Sequence, residues 1–199
     1  MTFFMEKIFS IFFQIFKNLT GEISILTPRN NILIKKIVNP HHSSKLRKFA
    51  VRPFFFKTYL LLKLPMGFLS GMKIRKLNEE KCKVTVPFKW INKNPFKSTF
   101  WAVLGMGAEM NTSALILQYT YKHQPSISTL PVKCESEFFK KATGITHFTC
   151  NDGYLIKEKI NIAINSKEPV IIEAYSIGLN NNSETICKFK FTWSVKVKS

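Results

Sequence analysis

One carboxylate stands out because the sequence around it is almost free of charge. Between Ser98 and Tyr121 the only charged residue is Glu109. Burying an unpaired carboxylate is unfavourable, so such a group finds a partner or has a raised pKa. Acids with a shifted pKa are frequent in active sites, where they act as general bases or nucleophiles. Either Glu109 is catalytic, or it meets a lysine or backbone donor, or it faces solvent at a helix or dimer edge.

The run that contains Glu109 predicts one long helix. Asn94 and Pro95 favour a helix start, because asparagine is a preferred N-cap and proline is tolerated at the first helical position. The length alone would also suit a membrane span. Polar side chains on both sides of Glu109 argue against a span. Gly105, Gly107 and Ala108 indicate instead a helix that a sheet approaches closely.

Alternation of apolar and polar residues predicts strands on both sides of this helix. A strand over 82–90 is preceded by a hairpin partner over 72–77. After the helix, one strand face is predicted to carry Leu130, Val132, Cys134, Ser136 and Phe138. A short strand, a short helix with Asp152 at its N-cap, and a central strand over 170–179 follow. The inward residues of the last strand are predicted to be Phe189, Phe191, Trp193, Val195 and Val197.

These elements predict an α+β fold. Their order is strand, strand, long helix, strand, strand, short helix, strand, strand. The apolar face of such a sheet needs a covering helix, and only the long helix has sufficient length. We therefore expect an antiparallel sheet wrapped around one long central helix in a domain over residues 45–199. Residues 1–44 are expected to be a basic N-terminal extension.

The extension begins with an amphipathic pattern. In residues 1–19 the polar side chains recur at helical spacing, opposite a row of Phe, Ile and Leu. This segment is a dispensable extension or untranslated sequence ahead of the true start, an interfacial helix in peripheral membrane contact, or a helix docked on the domain. An export signal is disfavoured, because Glu6 and Lys7 interrupt the apolar run and no small-residue cleavage site follows. The stretch that follows, through the basic run 45–48, is predicted to be a linker. Residues 53–65 are too few to span a bilayer and predict a helix at the domain edge.

Charge and cysteine content restrict the partners. The chain has 30 Lys and Arg against 12 Asp and Glu, a formal net charge of +18. This surplus favours anionic partners, or it forms an ordinary solvated surface. The four cysteines form no CxxC pair and the four histidines are scattered, so we predict no metal site. Free thiols are typical of a reducing compartment, and we expect a cytoplasmic protein.

Three runs carry a resemblance to a known family. They are WINKNPFKSTFWAVLGMGAEMNTSALIL, EFFKKATGITHFTCNDG and the ending FTWSVKVK. Together they resemble a family of hotdog proteins of unknown function that is related to PaaI-like acyl-CoA thioesterases. The likeness extends from about Leu46 to Lys198 and is absent from the first forty residues. It implies a hotdog dimer or tetramer, in which two sheets join edge to edge and acyl-thioester sites lie between subunits.

The resemblance also implies roles for individual residues. Asn94 matches an asparagine of the PaaI-like motif, and Glu109 matches the acidic residue further along the helix. Lys97, Phe100 and Trp101 stand where that motif has glycine, histidine and glycine. The small residues of the motif let backbone amides approach the thioester carbonyl, whereas Phe100 and Trp101 add bulk there.

The implied mechanism is hydrolysis of an acyl thioester carried by CoA or by a carrier protein, with no further cofactor. Amides near Phe100 would polarise the thioester oxygen, helped by the helix dipole. Glu109 would activate water or attack the carbonyl directly. Lysines at the pocket mouth would hold CoA phosphates, or they are ordinary exposed cations; the candidates are Lys93, Lys97, Lys140 and Lys141.

Two other functions are compatible with the sequence. One is a non-catalytic module that keeps the fold and the acyl or lipid groove. The other is a protein that binds nucleic acid or a membrane surface through its charge. The aromatic residues alternate with lysines, which is the pattern of inward-facing residues on strands, and they form no stacking platform. We therefore expect no nucleic-acid partner.

Overall fold

Three helices precede the sheet. The computed structural model describes residues 40–198, with side-chain environments from Ser43 onward. Helix α1 spans Pro40–Ala50, α2 spans Pro53–Lys63 and α3 spans Pro65–Ser70. The linker predicted through residue 48 is therefore helical at its end. The hydroxyl of Ser43 donates a hydrogen bond of 2.6 Å to the carbonyl oxygen of Gln118, which ties α1 to the domain.

The rest of the described chain forms one antiparallel sheet and two further helices. The long helix, α4, spans Trp101–Thr120, and α5 spans Gly153–Ser166. The strands are β1 (Lys73–Leu77), β2 (Cys82–Val86), β3 (Ile127–Phe138), β4 (Thr146–Cys150), β5 (Val170–Leu179) and β6 (Thr185–Val197). They lie in the order β1-β2-β4-β5-β6-β3, so β1 and β3 are the two edges. The predicted order of elements and the α+β architecture are confirmed.

The long helix lies close to the sheet at Gly107. A Cβ atom at this position would come within 2.5 Å of Cγ2 of Val86 and 3.0 Å of Cε2 of Phe148. A Cβ atom at Gly105 would have one neighbour within 4 Å, Cε1 of Phe189 at 3.6 Å. Gly107 is therefore the residue that lets β2 and β4 pack against α4, as the small residues of this run predicted.

Replacing Gly107 by alanine is expected to destabilise the protein, because the new methyl group overpacks the contact with Val86. We expect the free energy of unfolding to fall by about 1 to 3 kcal/mol. Gly105→Ala is the matched control: it has room, and alanine favours a helix over glycine by up to about 1 kcal/mol. Chemical denaturation of both variants measures the difference. Equal effects of the two substitutions would contradict a close approach at Gly107.

The inner face of β6 forms the floor of the core beside α4. Its side chains alternate as predicted, with five buried residues on the inner face: Phe189, Phe191, Trp193, Val195 and Val197. Residues directly opposite one another on paired strands share a face. Cys134, Ser136 and Phe138 pair with Phe191, Phe189 and Cys187 and thus lie on the inner face of β3.

The same pairing corrects the prediction for the first half of β3. Leu130 pairs with Ser194, on the outer face, because the register shifts between Pro131 and Lys133. A bulge inserts one residue into the strand and so reverses the alternation of faces. The sequence shows alternation on both sides of the bulge, but it does not show where the extra residue falls.

The second strand is shorter than its pattern suggested. Alternation predicted a strand through Trp90, whereas β2 ends at Val86. Pro87 follows at once and cannot donate a ladder hydrogen bond. Trp90 instead begins a short 3₁₀ turn, and its side chain is exposed.

The second half of the domain follows the prediction with one difference. Asp152 is the N-cap residue of α5, but its carboxylate makes no capping hydrogen bond. It accepts a hydrogen bond of 2.7 Å from the backbone N–H of Tyr175 on β5. The inward side chains of α5, Ile156 and Ile160, are fully buried. Asp152 therefore links α5 to the central strand.

Two predictions concern residues that the structure does not describe. The amphipathic segment 1–19 and most of the predicted extension 1–44 lie outside residues 40–198. The division at residues 44 and 45 therefore stays a prediction. Within residues 40–198, no helix combines the length and the apolar character that a membrane crossing requires.

Candidate functional site

Glu109 lies on the open side of α4, away from the position of Gly107 at which β2 and β4 approach the helix. One side of the helix, which includes Ala108 and Asn111, is buried. Every fourth residue along the opposite side is exposed or half-buried, and this stripe contains Trp101, Gly105, Glu109, Ser113 and Leu117. Residues four apart lie one above the other on a helix. The single carboxylate of the helix therefore sits midway along an open, otherwise uncharged stripe.

The environment of Glu109 raises its pKa. The side chain is accessible to solvent in the protomer, yet partial burial removes part of the hydration of its carboxyl group. This desolvation raises the pKa of Glu109 above its ordinary value. Among the ion pairs of residues 40–198, none involves Glu109. A lysine partner for Glu109 is thus not part of the described structure.

The charge of Glu109 acts on a thiol of the edge strand. Partial burial, followed by the charges of Glu109 and Glu135, raises the pKa of the Cys134 thiol. Cys134 is exposed and lies on the inner face of β3. The Glu109 carboxylate thus faces the open inner side of the β3 edge, and this neighbour was not singled out from the sequence.

A separate groove lies at the beginning of α4. It has a volume of about 360 Å³ and is open to solvent. Its walls include four of the predicted site residues: Asn94, Trp101, Lys140 and Lys141. Its apolar lining comes from Leu104 and from the end of β3, at Phe138 and Phe139. The groove therefore combines apolar and polar lining residues, as small-molecule sites do.

Asn94 has a different role from the one predicted. The helix begins at Trp101 with Phe100 as its N-cap, so Asn94 does not cap it. Lys97 has a φ of 60° and interrupts any helix between them. Asn94 instead closes the preceding turn, where its Oδ1 accepts a hydrogen bond of 3.1 Å from the backbone N–H of Ser98. The asparagine thus shapes one wall of the groove.

The backbone amide predicted to polarise a thioester is already bonded. The N–H of Phe100 donates a hydrogen bond of 2.7 Å to the carbonyl oxygen of Asn92. The first helical hydrogen bonds come from Val103 and Leu104, which both donate to the carbonyl of Phe100. The N–H groups of Trp101 and Ala102 have no partner within residues 40–198. These two amides, one and two residues beyond Phe100, are the donors that the helix start offers.

Two aromatic side chains cover the start of α4. Phe100 and Trp101 are 43% and 59% exposed, and their rings meet edge to face with centroids 5.9 Å apart. They occupy the positions at which the resembled motif has small residues. Only Trp101 lines the groove.

The lysines at the groove differ in their partners. Lys140 forms an ion pair with Glu184, and this hydrogen bond lowers the pKa of the Glu184 carboxyl. The Lys141 ammonium donates to the carbonyl oxygen of Phe96 at 3.3 Å. Lys97 is exposed and has no ion pair in the described structure. An anionic group bound at Lys140 would therefore compete with Glu184.

The structure does not bring all predicted residues together. Glu109 follows Trp101 by eight residues, which corresponds to about 12 Å along the helix axis. Glu109 is absent from the groove lining, as are Lys97 and Phe100. Within one protomer the carboxylate and the groove are two separate places.

Two asparagines that the sequence does not mark as special are buried. Asn92 donates hydrogen bonds of 2.8 Å to the carbonyl oxygens of Ser70 and Pro87 and so fixes the loop before α4. Asn111 is fully buried on the sheet side of α4, and neither of its side-chain atoms has a hydrogen-bond partner within residues 40–198. An asparagine in a loop or helix gives no sequence signal of such burial.

The described residues contain no cluster that would hold a metal ion. No group of three or more His, Cys, Asp or Glu side chains converges within residues 40–198. The thiols of Cys82, Cys150 and Cys187 are buried, and desolvation is the largest cause of the raised pKa of each. The chemistry available at the candidate site is that of a carboxylate, backbone amides and lysines.

Comparison with solved structures identifies the fold. A probable thioesterase from Pseudomonas aeruginosa superposes with a TM-score of 0.63 at 12% identity, covering 75% of this chain and 99% of that chain. A thioesterase from Haemophilus influenzae gives a TM-score of 0.53 at 13% identity, covering 71% and 90%. The PaaI protein of the phenylacetic acid degradation operon of E. coli gives 0.51 at 11% identity, covering 75% and 96%.

These neighbours confirm the predicted hotdog fold, with an antiparallel sheet around a long helix. The likeness is one of fold, because the identities lie far below the level at which residues can be equated. No family model and no curated protein matches the sequence. Activity must therefore be argued from the residues of this chain.

Proposed function

We propose that this protein is a hotdog acyl-CoA thioesterase-like hydrolase in which Glu109 acts as general base or nucleophile. The observation that carries the proposal is the position of Glu109. It is the one charge of α4, it lies on the open stripe with a raised pKa, and the described residues give it no cationic partner. A raised pKa makes a carboxylate a stronger base near neutral pH. The thioesterase neighbours of the same fold support this reaction class.

We further propose that the active unit is a homodimer joined through β3. This strand is an edge of the sheet, and all its residues from Ser128 to Phe138 are exposed. A long exposed edge strand is a template for pairing with another chain. A second copy would add its own β3 to this edge and cover the inner face that Glu109 and Cys134 border. Such pairing would place two copies of Glu109 at the junction of the subunits.

The dimer would also account for the separation of the site residues. Within one protomer, Glu109 lies about 12 Å along α4 from Trp101 and is absent from the groove lining. A two-fold axis at the β3 edge would bring a carboxylate from one subunit toward the groove of the other. The groove would then supply the acyl pocket and the amides, and the opposite subunit would supply the base.

The reaction would proceed at the beginning of α4. The N–H groups of Trp101 and Ala102 would donate hydrogen bonds to the thioester oxygen and stabilise its developing charge, together with the helix dipole. Glu109 would take a proton from water as the water oxygen attacks the carbonyl carbon. The carbon–sulfur bond then breaks, and the leaving thiolate takes up the proton. Direct attack by Glu109 would form an anhydride instead, which water cleaves.

Lys140 and Lys141 would contact the head group at the groove mouth. A CoA phosphate would displace Glu184 from Lys140 and the Phe96 carbonyl from Lys141. Both lysines are exposed, so this exchange requires no change in the core. The proposed substrate is acyl-CoA or an acyl carrier protein in a reducing compartment such as the cytoplasm, where the free thiols persist.

A second candidate function is a binding module that holds acyl-CoA or lipid without hydrolysis. Two observations favour it. The Phe100 amide is bonded to Asn92, and Phe100 with Trp101 adds aromatic bulk where the resembled motif has small residues. A groove lined in this way would retain an acyl chain even if the carbonyl were badly placed for attack.

Incubation with a series of acyl-CoAs of increasing chain length is expected to raise the melting temperature and to release free CoA. Binding to the native state alone raises thermal stability, by about 2.7 kcal/mol at a ligand concentration of a hundred times Kd. A thiol reagent records the released CoA in the same samples. Stabilisation without thiol release would select the binding module, and free CoA is the control for head-group binding. Neither effect with any chain length would contradict both functions.

A further inference from the structure

The helix pair formed by α2 and α3 exposes a large apolar surface. Eight large apolar side chains between residues 53 and 70 are exposed: Phe54, Tyr59, Leu61, Leu62, Leu64, Met66, Phe68 and Leu69. Met66, for example, is 58% exposed. Contiguous patches of this kind on a soluble domain mark an interaction site. We call residues 53–70 the helix-pair surface.

Helical geometry separates the two sides of α2. Phe56 and Leu60 are buried and attach the helix to the domain. At 100° per residue, Phe54, Leu61 and Leu62 point to the opposite side. The outer side of α2 is therefore apolar, where a surface helix would carry polar residues.

The chain segment that forms this surface carries only positive charges. From Pro40 to Asn78 the sequence has nine Lys and Arg and no Asp or Glu. Lys57 and Lys63 lie on α2 itself, are exposed and take part in no ion pair of the described structure. Apolar side chains flanked by cations are the composition of segments that lie in the headgroup region of a membrane.

A small cationic notch adjoins the helix-pair surface. It has a volume of about 130 Å³ and lies between the start of α2 and strand β1. Lys57, Lys73 and Arg75 line it, above an apolar floor that includes Phe56 and Ile74. The guanidinium of Arg75 is held in part by a hydrogen bond of 3.1 Å from its Nε to Oγ1 of Thr85. Three cations around a notch of this size suit a phosphate group.

We propose that the helix-pair surface docks on bilayers that contain anionic phospholipids. The outer side chains of α2 and α3 enter the headgroup region, and Lys57, Lys63 and the notch bind lipid phosphates. Its residues are distinct from those of the proposed hydrolase site and from segment 1–19. A second copy of the chain is not needed to cover it. The β3 edge offered for pairing lies at the other end of the sheet from β1, against which α2 packs.

The test uses the full chain and vesicle cosedimentation. Vesicles of phosphatidylcholine alone are compared with vesicles that also contain phosphatidylserine. The parent protein is expected to bind the anionic vesicles preferentially. The double substitution Lys57→Gln with Lys63→Gln should weaken this binding by about thirtyfold, because each cation near an anionic surface contributes about fivefold.

The matched control removes the same charge elsewhere. Lys196→Gln with Lys198→Gln changes two exposed lysines at the end of β6 and should weaken binding by less than about threefold. Equal losses in the two pairs would show that total charge governs binding and would overturn the proposal. Unchanged binding after Lys57→Gln with Lys63→Gln would overturn it as well.

A double substitution of apolar residues tests whether their side chains enter the bilayer. Leu61→Ser with Leu62→Ser is expected to abolish most of the binding that resists high salt. Ile171→Ser with Ile177→Ser, two exposed residues on the outer face of β5, is expected to leave it unchanged. A change in oligomeric size without a change in vesicle binding would assign the surface to a protein contact and reject the lipid. The lysine pair keeps the test decisive if the leucine variant fails to fold.

Discussion

Glu109→Gln is expected to cut acyl-thioester hydrolysis by about a hundredfold or more, in the range expected for the loss of a general base. The amide has nearly the same shape as the carboxyl group, so acyl-CoA binding should persist. Thiol-release assays measure the rate of hydrolysis, and thermal shifts measure acyl-CoA binding in the same samples. Glu158→Gln is the matched control, because Glu158 is an exposed carboxylate on α5, outside α4, the groove lining and the β3 edge. It should leave the rate unchanged.

The pH dependence supplies a second readout for Glu109. Its pKa is raised, so in the folded protein the carboxyl group ionises at a higher pH than an ordinary glutamate. Hydrolysis by the parent should therefore rise with pH across this higher range. Ionisation also costs stability there, because the folded state binds more protons than the unfolded state between the two pKa values. Glu109→Gln removes this cost, so the variant should be as stable as the parent or more stable.

A contrary result would separate the functions. If Glu109 were held by a lysine in the assembled protein, breaking a buried pair would destabilise the fold by about 3 to 5 kcal/mol. A clearly less stable Glu109→Gln variant, together with no detectable hydrolysis in the parent, would reject the enzymatic proposal. The binding module would then remain.

The hotdog architecture was predictable because periodicity reports burial directly. Strand β6 alternates without interruption, and every predicted inward residue from Phe189 to Val197 is buried. The close approach at Gly107 was likewise visible as a run of small residues. Errors arose where one residue changes the pattern. The bulge after Pro131 reversed the faces of β3, and Pro87 ended β2 early.

The candidate site was less predictable than the fold. Asn94 and Pro95 have the chemistry of a helix start, but the helix begins six residues after Pro95 because Lys97 adopts a positive φ. Two residues later, the Thr99 N–H donates a hydrogen bond of 2.8 Å to the Ala142 carbonyl, a long-range contact that the sequence does not show. The sequence identified Glu109 by its isolation within an apolar run. It did not show that the carboxylate faces the β3 edge.

The backbone of β3 allows a test of the proposed dimer that leaves the protomer intact. The N–H of Phe139 donates a hydrogen bond to the carbonyl of Ile186, so these two residues form a hydrogen-bonded pair. Hydrogen-bonded and non-hydrogen-bonded pairs alternate along an antiparallel ladder. Cys134, Ser136 and Phe138 fall in the non-bonded pairs, and their N–H groups point away from β6 toward the open edge. Proline at Ser136 therefore removes no hydrogen bond of the protomer, and proline is tolerated on edge strands.

Ser136→Pro is expected to raise the dimer dissociation constant by about a hundredfold or more. Two symmetry-related hydrogen bonds would be lost, and each buried carbonyl left unpaired costs about 1 to 3 kcal/mol. Sedimentation across a dilution series measures the change. Ser136→Ala keeps the N–H and should remain dimeric. If the sites lie between subunits, hydrolysis should fall with the dimer in Ser136→Pro and recover at high protein concentration. If Ser136→Pro stays dimeric at the concentrations at which the parent is dimeric, the interface lies elsewhere. Glu109 of one subunit would then not reach the groove of another across the β3 edge.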